Sequence, residues 1–89
     1  MFGKIKDRLV HAFDISPCVA YKLPDVEMLG NRKIVIENYR SLLIFTDTQI
    51  VLKLEHNRFR IQGEHLVIDS YNGDVMIISG HIFNVSFLP

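Results

Sequence analysis

Apolar residues recur along this chain at two different periods. Phe2, Ile5, Leu9 and Ala12/Phe13 follow one another at steps of three and four, while Lys4, Lys6, Arg8 and His11 fill much of the remainder. That spacing predicts an amphipathic helix over 2–14, because positions three and four apart share a helix face. Ser16-Pro17 ends the pattern, since the residue before a proline avoids helical geometry. Beyond Gly30 the period falls to two. Lys33–Glu37 reads K-I-V-I-E, Leu42–Phe45 is continuously apolar, and Gln49–Glu55 sets Ile50, Leu52 and Leu54 on one side. Side chains alternate faces along a strand, so these segments are expected to be strands. A further short strand near 25–29 fits between Pro24 and Gly30. Polar clusters separate the runs: Asn38–Ser41, Thr46–Thr48, His56-Asn57, and Tyr71-Asn72-Gly73, the strongest hairpin signal in the chain.

The last third contains a short phrase twice. Ile61-Gln62-Gly63 and Ile78-Ser79-Gly80 open two I-x-G-x-x-x-x-[IV] units offset by 17 residues. In each unit the apolar parity switches across the glycine, from 59/61 to 66/68 and from 76/78 to 83/85/87. A strand keeps one parity, so a switch predicts a bulge, corner or tight turn at Gly63 and at Gly80. With Gly30 at its turn, these are the expected structural glycines.

Short strands without helical periods between them indicate an all-β domain. Connections this short exclude parallel crossovers, so an antiparallel meander is expected. Several strands are apolar on both sides: Ile34/Ile36 oppose Val35, Leu42/Ile44 oppose Leu43/Phe45, and Met76/Ile78 oppose Val75/Ile77. A sheet with one solvated face would show polar residues there. The meander is therefore expected to roll into a sandwich or barrel-like sheet, with one short N-terminal amphipathic helix. The helix, the rolling itself or another protein chain would cover the second face. The expected organisation is a helix over 1–16 and one β domain over 17–89.

Composition narrows the function. A chain of 89 residues, 48% hydrophobic and 22% charged, suits one small globular domain. Ten basic and ten acidic residues cancel, which removes any general electrostatic case for nucleic acid and mildly favours association between copies. A lone cysteine, Cys18, excludes an internal disulfide framework and fits a reducing compartment. No apolar run approaches the ~18 residues of a membrane span, and Lys4, Lys6, Asp7 and Arg8 interrupt any secretory leader.

Chemistry is sparse. His11, His56, His65 and His81 have no metal-ligand spacing, and the carboxylates are scattered without an acid–base pair. The glycines form no phosphate-binding loop. No catalytic residue, metal or cofactor is expected. Arg58-Phe59-Arg60 is the one basic–aromatic run of the kind that binds single-stranded nucleic acid, but Phe59 fits the core alternation, so nucleic acid is not the expected partner. Glu37-Asn38-Tyr39-Arg40 stands out as a polar cluster between two very apolar strands. It reads either as a turn with Asn38 in a left-handed conformation or as a recognition loop.

Residues 34–46, I-V-I-E-N-Y-R-S-L-L-I-F-T, together with Leu23-Pro24, Gly30-Asn31 and the two closing I-x-G units, resemble the YabP/YqfC family of sporulation proteins, and within it the YqfC branch. The resemblance spans roughly residues 5–88. This chain departs from the family at Ser41, where a glycine is usual, at His56-Asn57, and in a short connection at Tyr71–Gly73. The resemblance implies a non-enzymatic role in endospore formation. It implies action in the mother-cell cytoplasm, close to the membrane around the forespore, in support of coat or cortex assembly.

The function expected is thus that of an interaction or assembly module. Its partners would be a membrane protein of the sporulation machinery and, in addition, copies of itself. Glu37, Asn38, Tyr39 and Arg40 would form its recognition loop. The helix face of Phe2, Ile5, Leu9 and Phe13 would either touch a membrane or a partner, or pack on the domain. The alternative is a small β domain binding a ligand or single-stranded nucleic acid through Arg58, Arg60 and the glycine corners.

Overall fold

A computed structural model describes residues 23–89. The expected helix over 2–14, with its Phe2, Ile5, Leu9 and Phe13 face, lies outside the described residues. Six antiparallel strands form one sheet: β1 (Asp25–Leu29), β2 (Lys33–Glu37), β3 (Ser41–Phe45), β4 (Gln49–Lys53), β5 (Arg58–Asn72) and β6 (Val75–Leu88). The all-β antiparallel expectation holds across these residues. No helix among them is long and apolar enough to cross a membrane.

The strand order is β1-β2-β6-β5-β4-β3. Consecutive strands are neighbours except β2 and β3, which stand four positions apart yet are joined by Asn38–Arg40. In a flat sheet four inter-strand spacings would separate them by roughly 19 Å. The link from Glu37 to Ser41 can span at most about 14 Å. The sheet must therefore fold over on itself, and β5 and β6 are the strands that bend.

Each long strand takes part in both halves. In one half, β1 pairs with β2, β2 with the first part of β6, and that part of β6 with the last part of β5. In the other half, β3 pairs with β4, β4 with the first part of β5, and that part of β5 with the last part of β6. Between the halves, the β5–β6 register slips at Gln62/Gly63 and again at Glu64/Val67. The first slip leaves Phe83 as an extra residue of β6 opposite Gly63, and the second leaves an extra residue of β5 within His65-Leu66 opposite Gly80. In β5 the parity switch follows Gly63 as expected, but in β6 Ile82 is buried and Phe83 exposed, so the switch falls at Phe83 and not at Gly80. A β-carbon on Gly63 would lie 2.1 Å from the His81 carbonyl oxygen. Gly80 takes a φ of 147°, and a β-carbon there would lie 2.8 Å from the His65 carbonyl oxygen. Only glycine lets the two backbones approach this closely.

The halves match residue for residue. Ile34 pairs with Ile78 and Ile36 with Met76, just as Ile50 pairs with Ile61 and Leu52 with Phe59. Beyond each bend the pairing continues, through Gly80 N–H to Arg32 C=O and Ile82 N–H to Asn31 C=O in one half. Gly63 N–H to Thr48 C=O and Leu66 N–H to Asp47 C=O are the counterparts in the other. All of these apolar side chains, with Leu54, Leu66 and Ile82, form one buried cluster between the folded halves. Among the described strands β1 and β3 are the two ends of the sheet and do not pair with each other, so these six strands form an open roll and not a closed barrel.

Candidate interaction site

The polar cluster between β2 and β3 forms the corner where the chain crosses from one half to the other. Asn38 adopts a φ of 63°, a region that asparagine tolerates better than most residues. Its backbone N–H donates to Asp74 C=O at 2.8 Å, and its side-chain Nδ2 donates to Leu23 C=O at 2.8 Å. The corner thus ties down both the β5–β6 hairpin and the segment entering β1. Arg40 N–H donates to Lys53 C=O at 2.8 Å, extending the β3–β4 pairing, and the Arg40 guanidinium pairs with Glu55. That contact and the charge of Arg40 hold the Glu55 carboxyl below the usual carboxylate range.

Tyr39 packs its ring against the core, and burial, with Tyr71 and Asp74 nearby, pushes its phenol above the ordinary value. Tyr39, Arg40, Ser41 and Leu42 face Tyr71, Gly73 and Met76 across a cleft of about 330 Å³. Its lining is mostly apolar with phenol and guanidinium groups at the rim, a pattern suited to recognition. Of the expected recognition loop, Tyr39 and Arg40 line this cleft. Glu37 instead faces away from the core on β2, opposite Asp25. Sequence reasoning missed Tyr71 and Met76 as cleft residues. In the sequence Tyr71 belongs to a hairpin signal and Met76 to a strand apolar on both sides, and neither pattern points to a cleft.

The cleft opens onto β3. Leu42, Leu43, Ile44 and Phe45 are 40–49% exposed, on an edge strand. Leu42 and Phe45 pair with Leu52 and Ile50 and so share the core-facing side, while Ile44 pairs with Val51 on the opposite one. Exposed edges are usually blunted by a charge or a proline. The strand Ser41–Phe45 has neither; a register slip between Leu42 and Ile44 is its one irregularity.

The other sequence candidates serve the fold. Phe59 is 1% exposed and packs on Phe87 at a centroid separation of 5.0 Å, so its ring is not presented for base stacking. Arg58 donates to the Pro89 carbonyl, and His81 lies 3.4 Å from Glu64. Among the described residues no three His, Cys, Asp or Glu side chains converge as a metal site.

A sequence profile of the YabP family matches residues 22–89. The protein YqfC of Bacillus subtilis (strain 168), described as uncharacterized, is 32% identical over 86 residues, covering 97% of this chain and 92% of that protein. No solved structure matches the chain.

Proposed function

Because the chain belongs to the YabP family, we propose that it is a non-enzymatic interaction module of endospore formation. Family membership suggests a sporulation-related protein; the molecular task is our reading. The module works in the mother cell, at the membrane surrounding the forespore, and supports assembly of the coat or cortex. It docks on a membrane-protein partner, and on its own copies, through β3 and the adjoining Tyr39–Arg40 cleft.

One observation carries this reading: an edge strand of four exposed apolar residues with no charge or proline to blunt it. Such an edge offers backbone hydrogen bonds to an added strand, and alternate side chains for its selection.

The test is the Leu43→Lys/Ile44→Lys variant at the native locus. Both positions are exposed, so each lysine should change stability by no more than about 0.5 kcal/mol. Spore envelopes should nonetheless be defective in electron micrographs, and a tagged variant should no longer retain the membrane partner that the parent protein captures. Normal envelopes with unchanged capture would remove β3 from the function.

A further inference from the structure

Cross-strand partners share a face of a sheet. The registers Asp25↔Glu37↔Val75 and Glu27↔Val35↔Ile77 therefore gather six residues on the outer side of β1, β2 and β6. Their neighbours Ile34, Ile36, Met76 and Ile78 point the other way, into the core. This outer face has an aliphatic centre, Val35, Val75 and Ile77, bordered by Asp25, Glu27 and Glu37; the next row, Leu29, Lys33 and Ser79, closes its far end, so three carboxylates face one ammonium there. The three aliphatic residues are half-buried, although the described strands contact one another chiefly as sheet neighbours and none lies over this side.

We propose that residues 1–22 of the same chain cover this face. Phe2, Ile5, Leu9 and Phe13 would meet Val35, Val75 and Ile77, and the basic residues of the segment would run along Asp25, Glu27 and Glu37. Charge selects this occupant. Residues 1–22 hold four basic side chains against two acidic, a net +2, whereas residues 23–89 hold six against eight, a net −2. Position selects it too. The Asn38 side chain holds the Leu23 carbonyl at 2.8 Å, so the segment leaves the sheet at the Asp25/Glu37 end of this very face. Reach suffices, since the eight residues 15–22 can extend at most ~28 Å. A helix over 2–14 would measure about 20 Å, close to the ~17 Å length of the five-residue strands beneath it.

A second copy fits less well. Stable dimers bury about 800 Å² per partner, more than three half-buried aliphatic side chains offer. A two-fold contact would also bring this acidic border close to its own copy. The inference goes beyond the proposed function and does not depend on it.

Zero-length carbodiimide coupling of amines to carboxylates tests it on the unaltered full chain, read by mass spectrometry of the monomer fraction. Lys4 or Lys6 should be joined to Asp25, Glu27 or Glu37, and the Leu9→Asp substitution should abolish those links. A second readout uses a Cys18→Ser background. There the Leu9→Cys/Ile77→Cys pair should close an intramolecular disulfide and the Leu9→Cys/Leu43→Cys pair should not. Links confined to dimers, links only to carboxylates elsewhere such as Asp47 or Glu64, or closure onto position 43 in place of 77 would overturn the proposal.

Discussion

A hydrogen in place of a side chain on Gly63 lets the β5 backbone lie against the His81 carbonyl, where a methyl carbon would sit at 2.1 Å. The obstacle is backbone, which cannot swing aside as a flexible side chain would. Gly63→Ala should therefore destabilise by ~2–4 kcal/mol, and Gly80→Ala by a similar amount through its positive φ. Urea midpoints measure this, and unchanged midpoints would refute the corner. The doubled phrase drew attention to both glycines, but only at Gly63 does the parity switch fall where the sequence put it; in β6 it falls at Phe83, opposite Gly63. His65, with a φ of 55°, had no such signal, because the strain at a non-glycine corner depends on the partner strand. Glu55 was equally silent, since its partner Arg40 lies 15 positions away. With its carboxyl held low by Arg40, Glu55 supports the fold above the unfolded carboxylate pKa, and that support is lost as pH falls through the lower folded value. The Tm difference between parent and Glu55→Gln should thus be present near neutral pH and vanish in acid. A difference that persisted in acid would point to some other cause than the ion pair.

The strands themselves were legible because each is a local pattern. The segments K-I-V-I-E and Q-I-V-L-K became β2 and β4 with their isoleucines inward. The lengths of β5 and β6 were less so. A glycine that breaks the parity looks like the end of a strand, but it proved to be a bend in a strand of 15 and one of 14 residues. Strand order was the least legible property. Nothing within Leu42–Phe45 tells that it lies at the margin of the sheet, where its side chains stay 40–49% exposed. That depends on β6 returning to sit beside β2, a pairing between residues more than 35 positions apart. The cleft followed the same rule. Its Tyr39 side was visible as a polar loop, whereas its Tyr71 side required the tertiary path.

At the scale of the molecule, the repeat extends well beyond the doubled I-x-G phrase. Residues 25–38 and 41–54 occupy matching places at an offset of 16, each feeding one half of the bent β5–β6 hairpin. Ile34 and Ile50 are counterparts, and both are fully buried in the one cluster that joins the halves. Ile34→Ala and Ile50→Ala should each cost about 2–5 kcal/mol, and each variant should still unfold in a single transition. Two separate transitions in a denaturation curve would mean that the halves are independent units.

The two margins of the sheet, equivalent by this repeat, are chemically unlike. β1 reads D-V-E-M-L and carries two carboxylates, and β3 reads S-L-L-I-F and carries none. A strand laid along β3 would leave the acidic β1 as the outward margin of the enlarged sheet. Growth by edge addition would then stop after one step, which makes the molecule suited to finishing a β assembly and poorly suited to propagating one.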